Sequence, residues 1–424
     1  MENYTVILVL LGIMIVISTI AENLKFSMPI VLIFAGIGLG FIPGMPTVQI
    51  NSEIIFLLFL PPLLYDASFK IPLNDFKANL STISSLAITL VFLTTAGLAA
   101  ISYYLIPGMT WPLAFVLGAI LAPTDAVAAL SITKGLKLSS LSTTILEGES
   151  LINDASALVA FRFAIAAVTG SVFIWYNALL TFVILLAGGF LVGFLIAKSL
   201  GVLLRMFRNN TVTILSLLLL APFVTYLVAE KFHTSGVIAV VTLGFSMSRL
   251  SQFKFPDHVK HQSETIWDMV TFMLNGLIFI LIGLEFPIIV EELSGTQLLT
   301  YAGIALLLTF TALVIRTWNV YVNRRRLLRA YHHPKLKGTS REIPQSVLIS
   351  LQDSMVISWS GMRGIISLAI AMGLPYVVGE NGVPMKNVII YITTVVVLIT
   401  VVGQGLLLPR IVKRGEARFA GSDL

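Results

Sequence analysis

The strongest restriction on this chain is a series of apolar runs, each long enough to cross a hydrocarbon layer as a helix, which takes roughly 17–25 residues. They fall at about 4–21, 27–43, 52–67, 81–106, 111–133, 142–170, 174–204, 211–230, 234–250, 263–289, 297–322, 345–374 and 384–410. Lipid offers no partner for backbone N–H and C=O groups, so each run must satisfy its own, and a helix does that. Composition agrees. Of the 424 residues, 57% are hydrophobic and 11% charged, against roughly 25% charged in a soluble domain. The chain reads as one all-α polytopic membrane domain over residues 1–424, with about thirteen transmembrane helices. Ahead of the first run only Glu2 is charged, so that run lacks the basic flank of a cleaved signal peptide and is expected to stay as a helix. The absence of cysteine excludes disulfides, thiolate catalysis and Cys-ligated metals. All five histidines, His233, His258, His261, His332 and His333, fall in connections or at the ends of runs. Neither a His-ligated metal nor a histidine proton relay is expected in the core.

Basic residues set the expected orientation. One alternate set of connections holds Lys25, Lys70, Lys77, Lys134, Lys137, Lys198, Arg205, Arg208, Arg249, Lys254 and Lys260. The same set holds Arg324, Arg325, Arg326, Arg329, Lys335, Lys337 and Arg341, then Arg410, Lys413, Arg414 and Arg418 in the tail. The opposite set holds only Lys231 and Lys386. By the positive-inside rule the N-terminus lies outside the cell membrane and the C-terminus in the cytoplasm. The net charge of +6 has this source, so nucleic acid is not an expected partner. The polar stretch 323–344 reads as a basic cytoplasmic loop, a topology anchor whose nearest partners are anionic lipid headgroups.

Three arginines remain, Arg162, Arg316 and Arg363, all inside runs, together with Asp66, Asp125, Glu149 and Asp154, and with Glu147 nearer a helix start. An ionised group at mid-membrane costs about 2.5–3.5 kcal/mol even on insertion scales, so such residues mark a pathway or a pair. The densest block is Glu147-Gly148-Glu149-Ser150-Leu151-Ile152-Asn153-Asp154-Ala155-Ser156. On a helix, Glu147, Ser150 and Asp154 share one face, and Glu149 and Asn153 form an adjacent i, i+4 pair. So polar a face must point into the bundle, with Asp154 close to the midplane.

Two runs carry breaks. In Leu121-Ala122-Pro123-Thr124-Asp125 the proline removes a backbone hydrogen bond and frees carbonyls near Asp125. In Ser358-Trp359-Ser360-Gly361-Met362-Arg363-Gly364 helical winding is again weak. Matching breaks in a transporter mark where half-helix ends meet an ion, although a proline kink and small-residue packing account for either break alone. The acid beside one break and the arginine inside the other would offset half-helix dipoles of opposite sign. Asp66, closing Leu60-Pro61-Pro62-Leu63-Leu64-Tyr65-Asp66, fits an ion pathway and interfacial water equally well. Arg162 reads as a structural partner for one of the acids.

A buried carboxylate among hydroxyl and carbonyl oxygens is a hard-oxygen site suited to a small alkali cation. A proton neutralises the same carboxylate. Empty and charged, it is costly to move through a closed state, so competition between cation and proton for one group yields exchange. No cofactor is required beyond the transported cation and proton.

Ala122-Pro123-Thr124-Asp125-Ala126-Val127, the Glu147–Asp154 block and Gly361-Met362-Arg363-Gly364, in this order, resemble the NhaP-type branch of the monovalent cation:proton antiporters. The Leu-Pro-Pro run before Asp66 fits the same pattern, and the resemblance covers essentially the whole chain. It implies an NhaA-like fold with inverted repeats, two crossed broken helices and a homodimer. Helices at about 4–80 and 211–290 would form the dimer scaffold, those at about 81–170 and 297–410 the ion-transporting core. The 174–204 helix would link them, and 411–424 would be a short cytoplasmic tail. Residue by residue, the resemblance makes Asp154 the carboxylate that binds cation or proton. Asp125, the Thr124 carbonyl and Ser150 would complete the site, with Asp66 close by or joined through water. Glu149 and Asn153 would form a structural network with Arg363, and Arg316 resembles a second family arginine. Asn153, where electrogenic relatives carry a second aspartate, implies one-for-one electroneutral exchange.

Two rivals stand beside this reading. Tyr65-Asp66 matches half of an intramembrane aspartyl protease, which needs a second aspartate on a facing helix, but a Gly-x-Gly-Asp motif is absent. A cation channel would use rings of acids, whereas a lone buried acid without a filter repeat suits alternating access. Among ions, sodium (or lithium) is the favoured substrate and potassium the alternative.

Overall fold

The computed structural model describes residues 2–23, 27–42, 52–133, 136, 138–170, 175–207, 210–254, 257–291, 293–332, 344–375, 377–380 and 384–419. Lys25, Lys134, Lys137, Arg208, His333, Lys335, Lys337, Arg341 and the tail residues 420–424 lie outside them. Among the described residues nine helices are long and apolar enough to cross a membrane, and Met28–Gly40 and Gly236–Ser251 are shorter apolar helices. The chain is an all-helical integral membrane protein.

Chain contacts divide it into two compact units. The first comprises Met1–Ile17, Pro46–Leu73 and Gly170–Ile278. Its helices Trp175–Met206 and Gly236–Lys254 run with their backbones close together. A Cβ added at Gly189 would come within 2.6 Å of the Ser235 carbonyl oxygen, and one at Gly193 within 2.9 Å of the Ala239 Cα. Without a hydrophobic driving force between helices in lipid, such close approach maximises dispersion contact. The helix Ser52–Lys70, with Pro61 and Pro62 in its interior, belongs to the same unit.

The second unit comprises Ser18–Met45, Asn74–Thr169 and Phe279–Leu424 and holds both interrupted runs. The 111–133 run is two helices, Trp111–Leu121 and Ala126–Ile132, separated at Pro123. The 345–374 run is Leu351–Trp359 and Ile365–Met372, separated by the glycine-flanked segment 360–364. Between them in sequence lies the unbroken 29-residue helix Ser140–Val168, which carries the Glu149–Asp154 block. An apolar layer of Leu86, Leu90, Ala126, Ile145, Leu146, Val320, Ile349 and Ile357 packs this unit.

One expectation needs correction. The basic loop drawn over 323–344 is helical in its first part, because the helix Gly295–Tyr331 continues nine residues past the expected end of its span. Asn323-Arg324-Arg325-Arg326-Leu327-Leu328-Arg329-Ala330-Tyr331 contains no glycine or proline and is rich in good helix formers. Polarity ends a membrane span; it does not end a helix.

Candidate ion-binding site at a crossed pair of helix breaks

The two breaks touch through their backbones. The Asp125 N–H donates to the Met362 carbonyl at 2.8 Å, so a donor freed by Pro123 is satisfied by an acceptor freed at 360–364. The approach is close enough to need a residue without a side chain. A Cβ added at Gly364 would sit 2.6 Å from both Cβ and Cγ of Asp125. Asp125 itself caps the helix Ala126–Ile132, its Oδ1 accepting from the Val127 and Ala128 N–H groups at 2.9 and 3.1 Å. These are orphan donors of a first helical turn, where a carboxylate also meets the positive end of the helix dipole.

The helix Ser140–Val168 lies against the first break and ties it down. Ser150 Oγ donates to the Thr124 carbonyl at 3.2 Å, and Asn153 Nδ2 donates to that carbonyl at 3.2 Å and to Thr124 Oγ1 at 2.9 Å. Thr124 Oγ1 in turn donates to Glu149 Oε1 at 3.0 Å. Glu149 and Arg316 form a bidentate ion pair, with Arg316 Nη2 donating to Oε2 at 2.8 Å and Nη1 to Oε1. Their side chains are 1% and 2% exposed. Arg316 Nε also donates to the Ile357 carbonyl at 2.9 Å, serving the last turn before the second break. One arginine therefore joins both breaks to the central helix.

Asp154 stands apart from this network. It is 3% exposed. Among the described residues no hydrogen bond reaches its carboxylate, and the charges nearest in effect are those of Asp125 and Glu149, both acidic. The arrangement gathers a buried carboxylate, a second carboxylate held by backbone donors, and the hydroxyl and carbonyl oxygens of Ser150 and Thr124.

A family model for the transmembrane sodium/hydrogen exchanger matches residues 7–414 of the chain. The chain belongs to the sodium/hydrogen exchanger family. A Na(+)/H(+) antiporter, NhaH, of Halobacillus aidingensis is 32% identical over 422 residues, covering 96% of each chain. A sodium, potassium, lithium and rubidium/H(+) antiporter of Bacillus pumilus is 31% identical over 439 residues, covering 99% of this chain and 63% of that one. The sodium proton antiporter MjNhaP1 of Methanocaldococcus jannaschii superposes with a TM-score of 0.71 at 18% identity, over 100% of this chain and 99% of that one. That structure shares the fold of this exchanger-family chain. The family is one of transporters, so the protease reading falls away.

The structure brings Thr124, Ser150, Asn153, Glu149 and Arg316 into one bonded cluster, with Asp125 next to Thr124 in the first break and Asp154 beside it. Of the network that the resemblance implies for Glu149, Asn153, Arg363 and Arg316, the Arg316 guanidinium is the one bonded to Glu149. Asn153 serves Thr124. Arg363 is 3% exposed and lies within electrostatic reach of both Arg316 and Glu149, while its backbone N–H donates to Thr400 Oγ1 at 3.0 Å. Gly361 leaves room for the Arg316 side chain, with a Cβ there meeting Arg316 Nε at 2.8 Å. Arg162, on the same helix as Asp154, is an exposed residue. Asp66 belongs to the first unit, where its Oδ2 accepts from Lys70 at 2.8 Å.

Two carboxylates escaped the sequence reading. Asp353 accepts from Ser142 Oγ at 2.8 Å and from Ser139 Oγ through one oxygen, and from Ser350 Oγ at 2.6 Å through the other. It thus joins the N-caps of Ser140–Val168 and Leu351–Trp359. The Ser350-x-x-Asp353 spacing was the available signal, being that of a capping box. Asp268 was also legible as an acid five residues inside the 263–289 run.

Proposed function

We propose that the chain exchanges Na+ for H+ one for one, with cation and proton competing for Asp154. The observation that carries this reading is a buried carboxylate that, among the described residues, has no donor and no cationic partner, beside a set of hard oxygens. An ion so placed costs several kcal/mol to bury unneutralised, which favours states loaded with either a cation or a proton. Asp125, Thr124 and Ser150 would supply the remaining oxygens. Glu149 carries its own counter-charge in Arg316 and Asn153 is neutral, so a single exchanging carboxylate gives an electroneutral cycle. Alternating access would move the unit holding the broken helices as the core domain. The protein would act as a homodimer in the plasma membrane, N-terminus outside, without a cofactor. Potassium is the second reading, favoured by the ions in the name of the Bacillus pumilus relative.

The test is proton flux in proteoliposomes carrying a pH gradient, with sodium, lithium or potassium added in turn and the membrane potential clamped. Sodium is expected to collapse the gradient, clamped or not, and Asp154→Asn to prevent it. Raising the proton concentration should raise the apparent KM for sodium in proportion and leave the maximal rate unchanged. Collapse by potassium alone would change the ion. Full activity in Asp154→Asn would end the proposed mechanism.

A further inference from the structure

The first unit carries a second charged cluster, which the exchange mechanism above leaves without a task. Lys70 is the last residue of the helix Ser52–Lys70, one turn beyond Asp66. Its ammonium lies 2.8 Å from Asp66 Oδ2 and 2.8 Å from Asp268 Oδ1, the latter on the helix Asp257–Glu291. The three side chains grade from the inside of the protein to its surface: Asp66 is 11% exposed, Lys70 41% and Asp268 68%.

Two carboxylates share one ammonium, so the cluster is one positive charge short of neutral. The deficit falls on the buried member. Among the described residues, Asp66 Oδ1 is buried with no hydrogen-bond partner, and the hydroxyl of the preceding Tyr65 is buried and unpartnered as well. Tyr65 is fixed there by its ring, which packs 4.8 Å from Trp267 and 5.8 Å from Phe69. An unfilled carboxylate oxygen in a buried position is a hard ligand for a small cation and a costly one to leave bare.

We infer that Lys70 is a tethered competitor for Asp66, and that a transported monovalent cation takes its place there while Asp268 holds the released ammonium. The inference rests on the cation-exchange reading and adds a specificity-determining residue to it. Lysine suits the task because its ammonium is a compact charge on a flexible stem. It swings between two acceptors without a change in backbone. Asp268, exposed and on another helix, is the acceptor that makes release from Asp66 inexpensive. Without it Lys70 has only Asp66 to bind, and the incoming cation must displace a committed partner.

The experiment measures sodium-driven proton flux in proteoliposomes of the full chain, separating KM from maximal rate. Lys70→Gln should lower the apparent KM for sodium about fivefold, the weight of one partly exposed ion pair, and Lys70→Arg should keep it near the wild-type value. Asp268→Asn should raise KM by a similar factor. The double variant Lys70→Gln/Asp268→Asn should behave as Lys70→Gln alone, because Asp268 acts only through the lysine. A merely structural pair would lower yield and maximal rate and leave KM in place. An unchanged KM in Lys70→Gln, or an Asp268→Asn effect of equal size with and without Lys70, overturns the inference. Asp154→Asn run alongside keeps the two readings apart: if it transports like wild type the exchange mechanism is wrong, whereas if it is silent and Lys70→Gln is unchanged only the role of Lys70 fails.

Discussion

Glu149 and Asp154 lie five residues apart on one helix, and their surroundings are opposite. Glu149 is closed on both oxygens by Arg316 and Thr124. Asp154 is buried to a similar degree and receives nothing from the described residues. The difference separates two uses of an intramembrane acid. A charge with its counter-charge in place is part of the frame, because removing either member strands the other. A charge without one is open to a mobile partner, which is the role proposed for Asp154 with a proton or a cation.

The comparison can be broken most sharply at its two ends. Asp154→Asn is expected to abolish exchange while the thermal midpoint in detergent stays or rises, since an unpaired buried charge has been removed. A falling midpoint would mean that Asp154 also belongs to the frame. Glu149→Gln should do the reverse to the fold, costing about 3–5 kcal/mol as Arg316 is left buried and unpaired. Heat or denaturant unfolding reads this directly. The double substitution Glu149→Leu/Arg316→Met should recover much of that loss, because desolvation of both charges is then avoided.

Smaller effects sharpen the boundary between frame and site. Thr124→Val keeps the carbonyl that Ser150 and Asn153 use but loses the hydroxyl that links Glu149 to Asn153. A loss of about 1–3 kcal/mol is expected for the groups left unsatisfied, with sodium KM raised and Asp154-dependent exchange retained. Exchange lost altogether would place the hydroxyl at the ion. Asp353→Asn lies further out. It should cost about 1–2 kcal/mol through weakened hydrogen bonds at two helix caps and leave KM for sodium unchanged.

Much of this was legible from the chain. Pro123 and the Gly361–Gly364 segment announce their breaks because each is a local defect in helical hydrogen bonding. The polar face of Glu147, Ser150 and Asp154 follows from helical period alone. Which arginine meets Glu149 was not legible, since Arg316 and Arg363 are equally basic and both lie within spans. Arg316 is 167 residues from Glu149 in sequence, and nothing in either local pattern encodes the contact. Asp66 was ambiguous for the same reason: its ammonium partner Lys70 is near in sequence, yet the acid that shares that ammonium, Asp268, lies 198 residues from Lys70.

The sequence by itself determined what each segment must be. Apolar length makes helices in lipid, proline and glycine interrupt two of them, and the cost of charge in hydrocarbon marks the residues that need a reason to be there. These are local energies, paid residue by residue. The tertiary structure decided which charges cancel. It set Asp125 against Met362 across the two breaks, gave Arg316 to Glu149, gave Lys70 to both Asp66 and Asp268, and left Asp154 without a partner among the described residues. Coulomb and hydrogen-bond energies depend on separations of a few ångströms between groups far apart in the chain, and only packing fixes those.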